Sequence, residues 1–195
     1  MARRVLSARR GDRWWACQDN TGTTLIESLA ALAMTALLTA AGYPSYRDAL
    51  ERQQVRVAAD LLAASIETAR AFALARRGTV LLAPRPGIAD FSRGWRIVAV
   101  EANDADETGE APTLSVVTLG AACLRVALRA TDGSRALRLA PVGYSRSERG
   151  GFYAATFTLR CGDAQRQVRL GALGRLRICT PGQDADCDSR TDAGL

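Results

Sequence analysis

The sequence predicts an α+β protein, in which one long N-terminal α-helix crosses a membrane in its first half and packs on a C-terminal antiparallel β-sheet domain in its second half. The first observation is an uncharged apolar run at residues 28–46 that continues into an amphipathic segment. The second is a change near Gly78 to short runs rich in Val, Leu, Ile and Thr, which are typical of strands. We therefore expect a helix at 23–77, membrane-spanning at about 25–46, and a β-rich domain at 78–195.

The composition restricts the chemistry that this chain can perform. The 195 residues contain neither His nor Lys, so all 26 basic residues are Arg. Histidine-based catalysis and the usual histidine metal sites are therefore excluded. The sequence also contains no P-loop, GxSxG or zinc-binding pattern. We expect no enzymatic activity, no cofactor and no metal.

The net charge of +6 is unevenly distributed. Residues 1–22 contain five Arg and two Asp, which is +3, so residues 23–195 carry the remaining +3. A charge this small does not by itself require a nucleic-acid partner.

The helix is predicted from its length and its apolar spacing. Residues 28–46 would be about 28 Å long as a helix, close to the ~30 Å hydrocarbon core of a bilayer. The Arg-rich stretch before them predicts a cytoplasmic N-terminus. Pro44 predicts a kink and Gly78 the end of the helix. In the second half, apolar residues at near-helical spacing are expected to face the domain: Leu50, Val57, Leu61, Ile66, Ala69 and Phe72.

The motif GTTLIE at Gly22–Glu27 resembles the processing site of type IV prepilins and pseudopilins. The resemblance implies that a prepilin peptidase cuts after Gly22 and methylates the new N-terminus at Thr23. Glu27 becomes the fifth residue of the mature chain, where the family has a glutamate that meets an N-terminal amine during assembly. Pro44 matches the family's helix-kinking proline, whereas Thr23 departs from the usual Phe or Met. The alternative is an ordinary signal anchor with an unrelated glutamate.

This resemblance also implies a location and partners. Residues 1–22 become a leader peptide, and the mature chain is held in the lipid of the bacterial inner membrane. The C-terminal domain lies in the periplasm, and the chain assembles with other pilins or pseudopilins into a fibre.

The β-rich part divides into eight predicted strands. Asp132-Gly133 predicts a tight hairpin. The acidic stretch 101–113 predicts a solvated loop, and it lacks the ligand spacing of an EF-hand that would favour the alternative of a calcium site. Short links between consecutive strands predict antiparallel pairing. The strands are expected at 79–84, 94–101, 113–119, 124–130, 136–143, 153–161, 166–173 and 175–180.

The four cysteines beyond the leader indicate disulfides in an oxidising compartment. The short, turn-rich loop TPGQDAD favours the pair Cys179–Cys187, which leaves Cys123–Cys161 as the second pair. The alternative is that the four thiols are free and buried.

The layout resembles the FimT/GspH branch of minor pilins and pseudopilins. The matching stretches are AADLLAASIETARAFALARRGTVLL, GWRIVAVEANDADETGE and TLRCGDAQRQVRLGALGRLRIC. FimT-like proteins share a Gly-Arg-x-Arg signature that contributes to DNA binding, and Gly174-Arg175-Leu176-Arg177 matches it. The resemblance implies non-specific binding of double-stranded DNA during natural transformation.

The local sequence makes this DNA contact physically reasonable. On a strand, Arg175 and Arg177 would point to the same face and could bridge phosphates, and Arg169, with Arg160 and Arg166, would extend the patch. Two alternatives stay open. The arginines are also typical of the solvent face of a strand, and the chain then serves as a GspH-like pseudopilin of a type II secretion system without DNA binding. The acidic tail after Cys179 would weaken the patch if it folds over it.

Overall fold

The computed structural model describes residues 24–100, 112–147, 150–185 and 187. Residues 1–23 lie outside this range, and with them the predicted leader, Gly22 and Thr23. The acidic stretch 101–111 also lies outside it, so the predicted loop and the calcium alternative are not described. The elements are α1 (Leu25–Arg76), β1 (Thr79–Pro84), β2 (Gly94–Val100), β3 (Thr113–Thr118), β4 (Arg125–Ala130), β5 (Leu137–Leu139), β6 (Ala155–Cys161), β7 (Ala164–Leu170) and β8 (Leu176–Cys179).

The chain divides into two compact units, of which the first ends at Gly42 and the second begins at Tyr43. In the described part of the first unit, every residue is exposed, including Leu25 at 77% and Leu37 at 71%. Thr35 and Thr39 donate their hydroxyl hydrogens to carbonyls one turn earlier, so these polar groups are satisfied within the helix. This helix is the one segment among the described residues that is long and apolar enough to span a membrane.

In the second unit, the helix buries one stripe at intervals of three and four residues. Ile66 and Ala69 lie on it, as predicted, but Leu50, Val57 and Leu61 are each more than 40% exposed. The prediction was wrong for those three residues. It relied on the spacing of large apolar side chains, whereas the residues of the buried stripe are mostly small. The stripe is Val55, Ala58, Ala59, Leu62, Ser65, Ile66, Ala69 and Ala73.

The helix ends in a Schellman arrangement. The Gly78 amide donates to the Ala73 carbonyl at 3.2 Å, and the Arg77 amide donates to the Leu74 carbonyl at 3.3 Å. The left-handed residue of this cap is Arg77, with φ of 50°, rather than the predicted Gly78. The glycine follows the cap by one position.

The eight strands form two four-stranded sheets with antiparallel pairing throughout. The first sheet has the order β3-β2-β1-β5, and the second has the order β4-β6-β7-β8. One hydrophobic core contains the buried stripe of the helix and residues from both sheets, such as Trp95 and Leu139 from the first and Phe157 and Val168 from the second. The α+β fold that the sequence predicts is therefore confirmed.

The prediction of a hairpin at Asp132-Gly133 was wrong, although a turn is present. The Gly133 amide donates to the Ala130 carbonyl at 3.0 Å, and Gly133 has a φ of 77°. This turn links β4 to β5, which belong to different sheets. β5 pairs with β1 instead, which buries Leu137 and Leu139 in the core. A turn motif reports a local chain reversal and does not determine the strand's partner.

The structure contains both expected disulfides. Cys123–Cys161 joins the segment before β4 to the end of β6, and Cys179–Cys187 joins the end of β8 to the following loop. Within the described residues, no cluster of three or more His, Cys, Asp or Glu side chains is placed to hold a metal ion.

Candidate nucleic-acid interface

The second sheet has an inner face in the core and an outer face that carries three of the five predicted arginines. Side chains alternate along a strand, and residues directly opposite each other on paired strands share a face. On β6, Phe157 and Leu159 are buried, so the residues that alternate with them on this strand point outward. The residues that lie directly opposite these on β4 and β7 point outward as well. The outer face defined in this way consists of Arg125, Ala127, Arg129, Thr156, Thr158, Arg160, Gln165, Gln167, Arg169, Arg177 and Cys179.

Arginines dominate this outer face, and they pair with each other across strands. Arg169 on β7 lies directly opposite Arg177 on β8, and Arg125 on β4 lies directly opposite Arg160 on β6. Like charges at directly opposed positions destabilise a sheet. The strand residues of the outer face include no Asp or Glu. The outer face therefore concentrates basic side chains on adjacent strands.

The register separates the arginines that the sequence grouped together. Arg160, Arg169 and Arg177 lie on the outer face. Arg166 lies opposite Leu159 and therefore on the other side of the sheet, where it lines a cavity of about 650 Å³ with the helix residues Asp48 and Arg52. The expectation that Arg166 extends the patch was wrong because it is an odd number of residues away from Arg169.

Two residues of the outer face, Arg125 and Arg129, were missed by sequence reasoning. Both are exposed, and they lie at alternate positions to Val126 and Leu128, which point inward. The alternation of arginine and apolar residues in RVALRA indicates that both arginines point away from the core. The sequence nevertheless cannot show that β4 pairs with β6, which is what brings both arginines to the face that carries Arg169.

The predicted signature begins in the hairpin loop between β7 and β8. The Gly174 amide donates to the Gly171 carbonyl at 2.8 Å, and the Gly171 amide donates to the Arg175 carbonyl at 2.9 Å. Gly174 has a φ of 82°, the left-handed conformation expected in a three-residue hairpin loop with a bulge. Because β8 begins at Leu176, Arg175 is an exposed loop residue rather than a strand residue. Arg177 remains on the strand.

The helix residue Arg70 holds this loop in place. Its guanidinium donates to the Gly174 carbonyl through Nη2 and to the Gly143 carbonyl through Nε at 3.0 Å. Nη1 donates to both carboxylate oxygens of Glu67 at 2.9 Å. A Cβ on Gly174 would lie 3.3 Å from Arg70 Nη2 and 3.2 Å from Tyr144 Cδ1. Glycine is thus required here both for its backbone conformation and for the close approach of Arg70.

Sequence reasoning missed Arg70 as well. It lies beside the buried stripe and three residues after an acidic residue, which is the pattern of an ordinary surface ion pair. Only its two long-range bonds to carbonyls distinguish it from such a pair.

The turn that contains Gly143 continues into an aromatic and polar network. The Tyr153 hydroxyl accepts a hydrogen bond from the Arg138 amide at 2.7 Å. Burial raises the pKa of Tyr153 to about 12, so the hydroxyl stays protonated at neutral pH. Tyr144 and Phe152 make an edge-to-face contact at 6.0 Å, and the Arg146 guanidinium lies 5.8 Å from the Phe152 ring centroid.

The disulfide loop lies beside the arginines on the outer face. Cys187 is buried, and its Sγ lies 3.7 Å from Gln167 Oε1. Gln167 and Cys179 form the row next to the row of Arg169 and Arg177. Asp184 is turned toward its own loop, where its carboxylate accepts from the Thr180 amide at 2.6 Å. The described part of the loop therefore packs against the neighbouring row, and its Asp184 carboxylate is held by the Thr180 amide.

Glu27 lies in the first turn of the helix, where its amide donates to Thr24 Oγ1 at 3.4 Å. Thr24 and Glu27 have the spacing of a capping box, and a carboxylate is favoured near a helix N-terminus. This position gives Glu27 a local electrostatic role beside any role in assembly.

The fold defines a pilin-like protein, with an N-terminal apolar helix whose second half packs on antiparallel sheets. The family model described as Type II transport protein GspH matches residues 58–174, more than half of the chain, and the chain therefore belongs to the GspH family. This match ends at Gly174, so it covers Arg169 but not Arg175 or Arg177.

Two solved structures resemble the chain in fold. The type IV minor pilin FimU of Pseudomonas aeruginosa has a TM-score of 0.51 and 19% identity, over 66% of this chain and 90% of that one. The minor pseudopilin EpsH from the type 2 secretion system of Vibrio cholerae has a TM-score of 0.46 and 13% identity, over 67% of this chain and 99% of that one. No curated protein matches the sequence significantly.

Together these findings define the protein as a minor pilin or pseudopilin of the FimT/GspH family. Members of this family are structural subunits that assemble with other pilins into a fibre. The apolar N-terminal helix fits a subunit anchored in the inner membrane.

Proposed function

We propose that this chain is a FimT-like minor pilin that binds double-stranded DNA non-specifically for uptake in natural transformation. The observation that supports this proposal best is that Arg169 and Arg177 lie directly opposite each other on β7 and β8. The adjacent loop carries Arg175, and Arg70 holds this loop through the Gly174 carbonyl. Guanidinium groups bind phosphate through charge-assisted, often bidentate hydrogen bonds. Contacts to phosphate position DNA without reading its sequence. Binding by one subunit is weak, and several copies in a fibre strengthen it.

The test is a DNA titration of the full chain in a non-ionic detergent. We expect an association constant for duplex DNA that falls steeply with salt, and a loss of at least about tenfold in the variant Arg175→Ala/Arg177→Ala. The matched control is Arg52→Ala/Arg56→Ala, which removes the same charge from exposed positions on the helix. Unchanged affinity in the first variant contradicts the site, and equal losses in both variants reduce the effect to net charge.

A second candidate function is that of a GspH-like pseudopilin in a type II secretion system. The family match favours it, because that match ends before Arg175 and so does not depend on the arginine signature. This subunit would have a structural role in the pseudopilus and no DNA contact. Absence of binding to duplex DNA at low salt would select this function over the first.

Both functions share the same proposed maturation and location. A prepilin peptidase cuts between Gly22 and Thr23 and methylates Thr23, residues 25–46 lie in inner-membrane lipid, and the domain from 78 onward lies in the periplasm. Glu27 then meets an N-terminal amine in the fibre, which offsets about 2.5–3.5 kcal/mol of cost for a charge in the membrane. Mass spectrometry of the mature protein checks the cut, and an intact Met1 end contradicts it.

A further inference from the structure

We propose that an exposed aromatic pair, Tyr144 and Phe152, stacks on unpaired nucleobases beside the loop that carries Arg175. The ligand is single-stranded DNA, held by the faces of its bases as well as by its phosphates. The inference rests on the proposed DNA contact of the neighbouring arginines. It adds a contact to the bases, which a guanidinium on a duplex backbone does not make.

The aromatic pair differs in its exposure from the other rings of the β-rich domain. Phe152 is 55% exposed and Tyr144 is 40% exposed. The other aromatic side chains that the structure describes after Gly78 are buried, namely Phe91, Trp95, Tyr153 and Phe157. Large apolar side chains that are exposed next to each other mark interaction sites more often than isolated ones do. The exposure of these two rings therefore calls for a ligand.

The two rings are accessible even though they touch. Their centroids are 6.0 Å apart and their planes are inclined by 71°, so the rings meet edge to face and do not stack on each other. The Arg146 guanidinium lies 5.8 Å from the centroid of Phe152, and its Nε donates to the Gly150 carbonyl at 3.1 Å. A positive charge is thus held against one of the exposed rings.

The aromatic pair is tied to the loop of the Gly-Arg signature. Tyr144 Cδ1 lies 3.2 Å from the position that a Cβ on Gly174 would take, and Arg175 is the next residue of the loop and is exposed. Arg70 donates to the carbonyls of both Gly143 and Gly174, which precede Tyr144 and Arg175. The two backbones are therefore held next to each other before any ligand binds, which lowers the entropy cost of binding.

Rings beside arginines favour a single strand as the ligand. Proteins that bind single strands combine a basic groove with aromatic side chains on which successive bases stack, and every base has a face that can stack. Arg146 and Arg175 supply the charge, while the Glu67 carboxylate is already bound by Arg70. The exposed Leu74 near Gly143 also suits an apolar protein partner, so the test has to separate apolar contact from stacking.

Salt dependence separates stacking from phosphate contact. For single strands, the slope of log K against log salt is about −0.7 for each phosphate that is neutralised. Loss of the Phe152 ring removes no positive charge, so it should weaken binding by the same factor at every salt concentration. Arg175→Ala/Arg177→Ala should instead reduce the magnitude of the slope.

The test titrates the full chain in a non-ionic detergent with two probes. One probe is single-stranded oligodeoxythymidine, which does not pair with itself, and the other is a relaxed circular duplex, which has no ends. For Phe152→Ala we expect a loss of about fivefold or more in single-strand affinity, an unchanged salt slope and little change in duplex affinity. Val116→Ala, at a similarly exposed position on β3, is the matched control and should change neither affinity.

Two further variants test the ring itself. Phe152→Leu keeps an apolar side chain without a ring and should lose as much single-strand affinity as Phe152→Ala. Phe152→Trp keeps a ring and should retain the affinity, and the single strand should quench its added fluorescence. Thermal unfolding of each variant controls for folding. If Phe152→Leu binds like the unaltered chain, stacking is wrong, and the apolar surface then fits a protein partner better.

The outcomes distinguish this inference from the proposed function. If Arg175→Ala/Arg177→Ala weakens duplex binding while Phe152→Ala leaves single-strand binding unchanged, the stacking site is wrong and the function stands. If single strands bind through Phe152 and the duplex does not bind, the stacking site stands and the proposed duplex binding fails. Equal losses for both probes in Phe152→Ala overturn the preference for unpaired bases. A chain that binds neither probe contradicts both proposals.

Discussion

The two faces of the second sheet are built from the same four strands, but they carry opposite chemistry. The inner face contributes Phe157, Leu159 and Val168, each fully buried. The outer face carries five arginines, and Arg125 lies directly opposite Arg160 on it, where like charges disfavour pairing. Because successive side chains on a strand point to opposite faces, the residue types on one face are almost independent of those on the other. The inner face provides stability, and the outer face carries the charged residues of the proposed site.

The largest expected effect comes from the inner face. Phe157 is fully buried and meets Phe91 edge to face at 5.2 Å, so Phe157→Ala leaves a large cavity. We expect a loss of about 3–5 kcal/mol in the free energy of unfolding, measured by denaturant titration. The neighbouring outer-face change Thr158→Ala should cost less than about 1 kcal/mol. Similar losses for these two neighbours would contradict the difference between the faces.

The two disulfides extend the comparison, because Cys161 ends β6 on the inner face and Cys179 ends β8 on the outer face. Their sequence separations are 38 and 8 residues. In the chain-entropy model, these loops correspond to about 4 and about 2.5 kcal/mol. Cys123→Ser/Cys161→Ser should therefore lower the free energy of unfolding more than Cys179→Ser/Cys187→Ser. Denaturant unfolding under oxidising conditions checks the order, and a reversed order would count against it.

The smallest effect is expected from the outer face itself. Arg160→Thr removes one member of the opposed pair with Arg125 and keeps a residue that favours strands. The free energy of unfolding should rise by up to about 0.5 kcal/mol at low salt, because a like-charge repulsion is removed. At high salt this gain should disappear, because exposed charges are screened. A clear loss of stability at low salt would mean that Arg160 stabilises the sheet.

Much of this structure could be predicted from local sequence, and the strands show why. β1 has the predicted bounds at 79–84, and the other strands begin within two residues of their predicted starts. Both disulfides were predicted, since the short loop between Cys179 and Cys187 restricted the pairing. These features depend on composition and period over a few residues.

The candidate site was predicted only in part, because it depends on contacts that are distant in the sequence. Arg169 and Arg177 were identified, yet Arg125 and Arg129 join them only through the pairing of β4 with β6. Arg70 is 104 residues from Gly174 along the chain. Arg166 was misplaced because a one-residue difference in parity moves a side chain to the other face.

The sequence by itself determined the long apolar helix, the approximate positions of the strands, the cysteine pairs and the family resemblance. Each of these follows from residue types and spacings that act locally. The tertiary structure alone decided which strands share a sheet, so that Asp132-Gly133 links two sheets rather than closing a hairpin. It also decided which arginines share a face. The physical reason is that strand pairing depends on burial in a common core. This burial is a property of the whole domain rather than of any single segment.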